Sequence, residues 1–138
     1  GLCGNMYLSG HWEAADKINM ELIKEGIALY KTERKHIHKS YPFWPIGFNR
    51  INDKNSWAAV GLANEENTRV LLAVWRLGSA EEYKELPIHG WAGKDAVVRQ
   101  LYPQEGYGVK TYYNKRRGAL TVNLPKTHQA RYFEIREK

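Results

Sequence analysis

The stretch TRVLLAVWRL, residues 68–77, decides the fold. Side chains along a strand alternate between two faces, and both faces are apolar here, with Val70 and Val74 on one and Leu71 and Ala73 on the other. A strand that is apolar on both faces has to be covered from both sides. We therefore predict that it lies at the centre of a sheet.

Shorter strand-like segments follow the same pattern on either side of this stretch, each closed by turn residues. Their predicted bounds are 57–62, 86–88, 96–102, 109–113, 119–124 and 130–135. Pro87 places one of them at a sheet edge, because proline lacks the N–H that a ladder needs. About seven short strands at regular spacing predict an antiparallel β-sandwich.

The chain before residue 40 has a helical period instead, which predicts one long amphipathic helix from about Ala14 to Lys39. Its apolar stripe consists of Ile18, Leu22, Ile23, Gly26, Ile27, Tyr30 and Ile37. Asp16 is a candidate N-cap, and the helix must end before Pro42. The expected fold is therefore mainly β, an antiparallel sandwich preceded by one helix.

The segment YPFWPIG, residues 41–47, is predicted to be an aromatic–proline linker. It divides the chain into residues 1–45 and a sandwich from 46 to 138. Near the start, Met6-Tyr7-Leu8 is a short β-prone run that begins without a preceding turn, and we expect the chain to be a fragment of a longer protein. The single cysteine, Cys3, gives no sign of an oxidising compartment.

The formal net charge of +6 raises the question of nucleic-acid binding. The basic residues form two groups, 31–39 on the predicted helix and 115–117 in a turn, without a recognisable nucleic-acid motif. We interpret them as a solvated helix end and a solvated hairpin tip. No apolar run reaches the roughly 18 residues of a membrane helix. Neither nucleic acid nor membrane is an expected partner.

Residues that carry chemistry do not form a complete constellation in this sequence. Glycoside hydrolysis needs two carboxyl groups that flank one bond, whereas the acids here fall in predicted turns or on the polar helix face. His36 and His38 point about 200° apart on a helix, and no metal-binding spacing is present. We expect no cofactor, no metal and no catalytic residue.

The tryptophans are candidates for a sugar platform, since flat rings stack on pyranose faces. Core packing is the competing interpretation. It is favoured for Trp57 and Trp75, while both interpretations stay open for Trp12 and Trp91.

The order of several short motifs resembles the C-terminal part of melibiase-type α-galactosidases, glycoside hydrolase family 36 of clan D. These motifs are MYLSG (6–10), KEGIALYK (24–31), PFWPIG (42–47), LLAVWR (71–76), LYP (101–103), LTVNLP (120–125) and AR (130–131). The resemblance implies that a (β/α)₈ catalytic barrel precedes the sandwich, with Met6 to Leu8 its last strand and the helix its last helix. It also implies a retaining parent enzyme whose two catalytic Asp residues lie upstream.

Active sites of such barrels lie at the C-terminal ends of the strands. The resemblance therefore implies that Ser9, Gly10 and His11 lie at the rim of the sugar pocket. The implied partners are the chain's own catalytic barrel and the parent's galactoside substrate. The helix stripe, which a barrel would cover, is expected to pack on the sandwich, to mediate self-association, or to be poorly ordered.

Three functions follow from these observations. The first is a non-catalytic C-terminal domain of a glycoside hydrolase. The second is a carbohydrate-binding β-sandwich module that uses Trp12 or Trp91. The third, a basic nucleic-acid-binding domain, is the least favoured.

Overall fold

The computed structural model describes residues 1–10, 14–50, 52–105 and 108–138. One helix precedes the strands. The elements are α1 (Lys17–Ile37), β1 (Tyr41–Phe43), β2 (Trp57–Ala63), β3 (Arg69–Arg76), β4 (Tyr83–Pro87), β5 (Ala96–Tyr102), β6 (Lys110–Asn114), β7 (Ala119–Asn123) and β8 (Gln129–Glu137). None of the described helices is long and apolar enough to cross a membrane.

Two antiparallel sheets make up the β structure. The larger has five strands in the order β1-β2-β3-β8-β5, and the smaller has three in the order β4-β7-β6. This confirms the predicted fold class, a mainly β sandwich preceded by one helix. Strand β3 is the central strand of the larger sheet, and β4, which ends at Pro87, is an edge strand, as predicted.

Strand β3 is covered on both faces by different layers. Val70, Leu72 and Val74 belong to the core between the two sheets, whereas Leu71 and Ala73 belong to a second apolar cluster beneath the helix. Four of the five are 0% exposed, and Ala73 is 4% exposed. The doubly apolar pattern of this stretch therefore reflects three layers: small sheet, large sheet and helix.

The core between the sheets contains two of the tryptophans. Trp57 donates its indole N–H to the carbonyl of Glu81 at 3.0 Å, and Trp91 donates to Oδ1 of Asn67 at 2.8 Å. Buried indoles need such partners, because an unpaired N–H in an apolar core is costly. Both rings pack against aliphatic residues of the two sheets.

The helix begins and ends close to the predicted positions. The Asp16 carboxylate accepts the backbone N–H of Asn19 at 2.8 Å, which confirms it as the N-cap. Arg34, Lys35 and His36 in the last turn suit the negative end of the helix dipole. The helix ends at Ile37, four residues before the next strand.

The structure amends one prediction about the N-terminal part and leaves another untested. The predicted linker contains an edge strand, since Tyr41 to Phe43 pair with Gly61 to Ala63, so the larger sheet begins before residue 46. Met6 to Leu8 lie outside every strand of the described chain. Their assignment to a barrel strand stays a prediction.

Gly61 allows β1 to join the sheet. It is paired with Phe43, and a Cβ at Gly61 would overlap the Phe43 ring, which packs on the core. A glycine inside a strand often marks such a close approach.

We predict that Gly61→Ala destabilises the protein by about 1–3 kcal/mol, because overpacking forces Phe43 and β1 away from the sheet. The free energy of unfolding in urea measures this effect. Gly4→Ala is the control, since a Cβ there meets no atom within 4 Å. Equal stability of the two variants would contradict the assigned close approach.

Candidate functional site

The helix is attached to the larger sheet through β5 and the turn after it. The Tyr102 hydroxyl donates to the carbonyl of Leu22 at 3.2 Å, and its ring lies against Gly26. The backbone N–H of Gln104 donates to the Glu25 carboxylate at 2.6 Å. These contacts fix the middle of the helix over the sheet.

A cluster of charges joins the last turns of the helix to the sheet. Arg69 donates from Nη2 to both carboxylate oxygens of Glu33, at 3.0 and 2.9 Å, and from Nε to Glu134 at 2.6 Å. Arg136 and Arg99 also contact Glu134, at 2.8 and 3.1 Å. We call these five residues the charge cluster.

Burial makes this cluster stronger than a surface ion pair. The side chains of Glu33 and Glu134 are 8% and 7% exposed, and that of Arg69 is 18% exposed. Burial alone would raise the pKa of Glu134, but hydrogen bonds and charges from Arg69 and Arg136 hold that pKa below its ordinary value. Burial likewise opposes the charge on Arg69, yet its hydrogen bonds to Glu33 and Glu134 raise its pKa.

His36 lies beside the charge cluster, but unlike the residues of the cluster its side chain favours the neutral form. Burial and the nearby Arg69 lower its pKa, outweighing Glu33 and Glu134, so the neutral imidazole is favoured. Its Nε2 atom is buried and has no hydrogen-bond partner within the described part of the chain. Glu134 is contacted by three guanidinium groups, and both oxygens of Glu33 accept from Arg69, so the cluster is suited to holding the helix rather than to proton transfer.

The sequence pattern offered one sign of this cluster. Glu33 lies between Tyr30 and Ile37 at spacings of three and four, so it occupies an apolar-stripe position. An acid on the buried face of a helix requires a cationic partner. The partner itself, Arg69, is 36 residues away and depends on the strand arrangement.

An uncovered apolar patch lies at the other end of the helix. Ile18 is 75% exposed and lies one turn before Leu22, while Leu8, Leu22 and Ile23 line a hollow of about 190 Å³. We call Leu8, Ile18, Leu22 and Ile23 the N-terminal patch. Contacts to the sandwich therefore hold the helix from Leu22 onward, whereas the first turn, with Ile18, is exposed in the described part of the chain.

The predicted rim residues adjoin this patch in sequence. Ser9 and Gly10 are exposed, and Gly10 has a positive φ of 103°, which favours glycine. His11 lies outside the described residues. The structure places Ser9 and Gly10 at the surface.

Trp57 is buried in the core, as favoured from the sequence. Of the two interpretations left open for Trp91, core packing is the one that the structure supports, because its side chain is fully buried. Trp75 is half-buried against the cluster beneath the helix, Trp44 is 39% exposed, and Trp12 lies outside the described residues.

Within residues 1–10, 14–50, 52–105 and 108–138, no group of three or more His, Cys, Asp or Glu side chains is arranged to hold a metal. In the basic turn at 115–117, Lys115 pairs with Asp95 at 2.7 Å and Arg117 pairs with Glu85 at 2.8 Å. Part of its charge is thereby compensated.

No protein-family model matches the chain, and a search of curated proteins finds no match.

We predict that Arg69→Met lowers the free energy of unfolding by about 3–5 kcal/mol, because it leaves two buried carboxylates without their main partner. Urea unfolding measures the loss. Arg99→Met is the matched control: Arg99 contacts the same Glu134, but its side chain is 64% exposed, so we expect a loss of at most about 1 kcal/mol. Similar losses for both would mean that Arg69 does not hold the helix to the sheet.

Acid should weaken the charge cluster. The pKa of Glu134 in the folded protein lies below the value of about 4.3 expected in the unfolded chain. The ionised Glu134 therefore stabilises the fold fully above about pH 4.3, and this stabilisation is lost as the pH falls through the folded-state pKa. We expect the stability of the wild-type protein to fall more steeply below about pH 4.3 than that of Glu134→Gln. Unfolding in urea between pH 7 and 3 measures both, and parallel profiles would contradict the prediction. The folded protein favours the neutral form of His36. Protonation of His36 therefore lowers the stability of both proteins, and it begins at a higher pH than protonation of Glu134 does.

Proposed function

We propose that this chain is a non-catalytic C-terminal domain of a glycoside hydrolase whose full-length parent resembles a retaining α-galactosidase. The order of motifs along almost the whole chain supports this proposal. The single observation that carries it is the helix α1, which is bonded to the sandwich from its middle to its end, while the apolar Ile18 in its first turn is 75% exposed.

The N-terminal patch supports contact with a further apolar surface. Leaving a large aliphatic side chain in water instead of burying it forgoes about 1.5–3 kcal/mol. Ile18 is followed at i+4 by Leu22, so both lie on one side of the helix. In the proposal, the catalytic barrel covers this side, as the last helix of a barrel packs on its strands.

The charge cluster gives the helix a mechanical role in this proposal. Its buried ion pairs hold the second half of the helix on the sheet, while the first half presents the patch. A helix held in this way would transmit the orientation of the sandwich to the barrel. Ser9 and His11, just before the helix, would then lie near the rim of the sugar pocket.

The proposal predicts no hydrolysis of 4-nitrophenyl α-D-galactoside by this chain, together with self-association through the patch. Sedimentation velocity at increasing protein concentration measures the association. We expect Ile18→Glu to weaken it at least tenfold without reducing stability, because Ile18 is largely exposed.

Lys31→Gln is the matched control. It changes the net charge by the same single unit, and residue 31 lies about 140° around the helix from residue 18. Release of nitrophenol, or association that is unchanged by Ile18→Glu, would argue against the proposed role.

A further inference from the structure

The segment between β1 and β2 places two aromatic rings at the surface. Strand β1 ends at Phe43, and a turn follows in which the N–H of Gly47 donates to the carbonyl of Trp44 at 3.2 Å. Pro45 occupies the second position of this turn, where its fixed φ is favoured. Gly47 has a φ of 77°, which reverses the chain direction and brings Phe48 back towards Trp44.

The two rings form what we call the aromatic ridge, Trp44 and Phe48. Their centroids are 4.4 Å apart and their planes are inclined by 36°. Trp44 is 39% exposed and Phe48 is 77% exposed. Exposed large aromatic rings in contact with each other are typical of interaction sites rather than of solvated loops.

The chain segments that flank the two rings are anchored to the sandwich. Phe43 and Ile46, which alternate with the exposed rings, pack against the core between the sheets. Beyond Phe48, the Asn49 side chain donates to the carbonyl of Trp57 at 3.0 Å. The rings are therefore presented by a short, anchored segment, which limits the ordering cost of binding.

An open cleft lies on each side of the ridge. Phe48 lines one of about 450 Å³, and Trp44 lines the other, of about 440 Å³. The first carries side-chain amides and charged groups, including Asn49, Asn55 and Lys84. The second contains His89 and Arg117. Each cleft thus combines one ring of the ridge with hydrogen-bonding side chains.

A carbohydrate fits this combination of groups better than an apolar partner does. The C–H face of a pyranose ring packs on an aromatic face. Its hydroxyl groups donate to and accept from side-chain amides, and they accept from ammonium and guanidinium groups. We propose that the aromatic ridge binds a pyranose polysaccharide, with adjoining sugar units in the two clefts. This site is independent of the N-terminal patch and of the proposed parent enzyme.

The ridge is distinct from the sugar platform that the sequence left open for Trp91. That ring is buried between the sheets, where it forms an edge-on contact with Tyr113 at 6.5 Å. Among the described tryptophans, Trp44 has an exposed fraction that allows stacking.

Affinity electrophoresis in native gels containing soluble galactomannan, dextran or starch tests the proposal. We expect the chain to be retarded by at least one of these polysaccharides and Trp44→Ala to reduce the association constant at least tenfold. Phe48→Ala should act in the same direction, and because Phe48 is more exposed it serves if Trp44→Ala disturbs folding. Phe48→Tyr keeps a ring and should preserve binding.

Tyr112→Ala is the control, since Tyr112 is a 66% exposed aromatic residue on β6, at the other edge of the small sheet from β4. It should not change the retardation, and neither should Ile18→Glu. Absence of retardation by all three polysaccharides would overturn the proposal. Retardation that survives both alanine variants, with their folding verified by circular dichroism, would overturn it equally.

Discussion

The burial of strand β3 on both faces is the constraint from which the other layers follow. Its alternating side chains are apolar on either side and almost fully excluded from water. One face requires the three-stranded sheet, whose β7 contributes Leu120 and Val122 to the shared core. The other face requires a different cover, which the helix provides together with Leu2 and Cys3 near the start of the chain. The protein is therefore a sandwich with a third layer, in which the helix belongs to the folded structure.

The helix is positioned by charge as much as by apolar contact. Apolar packing is tolerant of small shifts, whereas a guanidinium between two carboxylates has demanding geometry. Arg69 begins β3 and Glu134 lies on the adjacent β8, so the charge cluster fixes the end of the helix relative to the strand that it covers. Burying these charges is costly unless all partners are present, which favours one register of the helix.

Two surfaces remain for interaction, and they have different chemistry. The N-terminal patch is aliphatic and lies around the first turns of the helix, where Ile18 is exposed. The aromatic ridge lies on an anchored turn between clefts with polar side chains. An aliphatic helix face suits the apolar surface of another protein domain, while exposed rings beside amide groups suit a sugar. A chain of this size can combine both, because they occupy separate elements.

The sequence by itself indicated seven of the eight described strands, the helix and its Asp16 cap, because these depend on local period and on backbone capping. It also indicated that β3 is central and that Pro87 lies at an edge. Only the tertiary structure decided that Arg69 is the partner of Glu33, that Trp91 is buried and that Trp44 and Phe48 form a ridge. The physical reason is that side-chain exposure and ion pairing depend on which distant segments meet. The segment 41–47 illustrates the difference: its composition indicates a linker, but pairing with β2 makes its first three residues an edge strand.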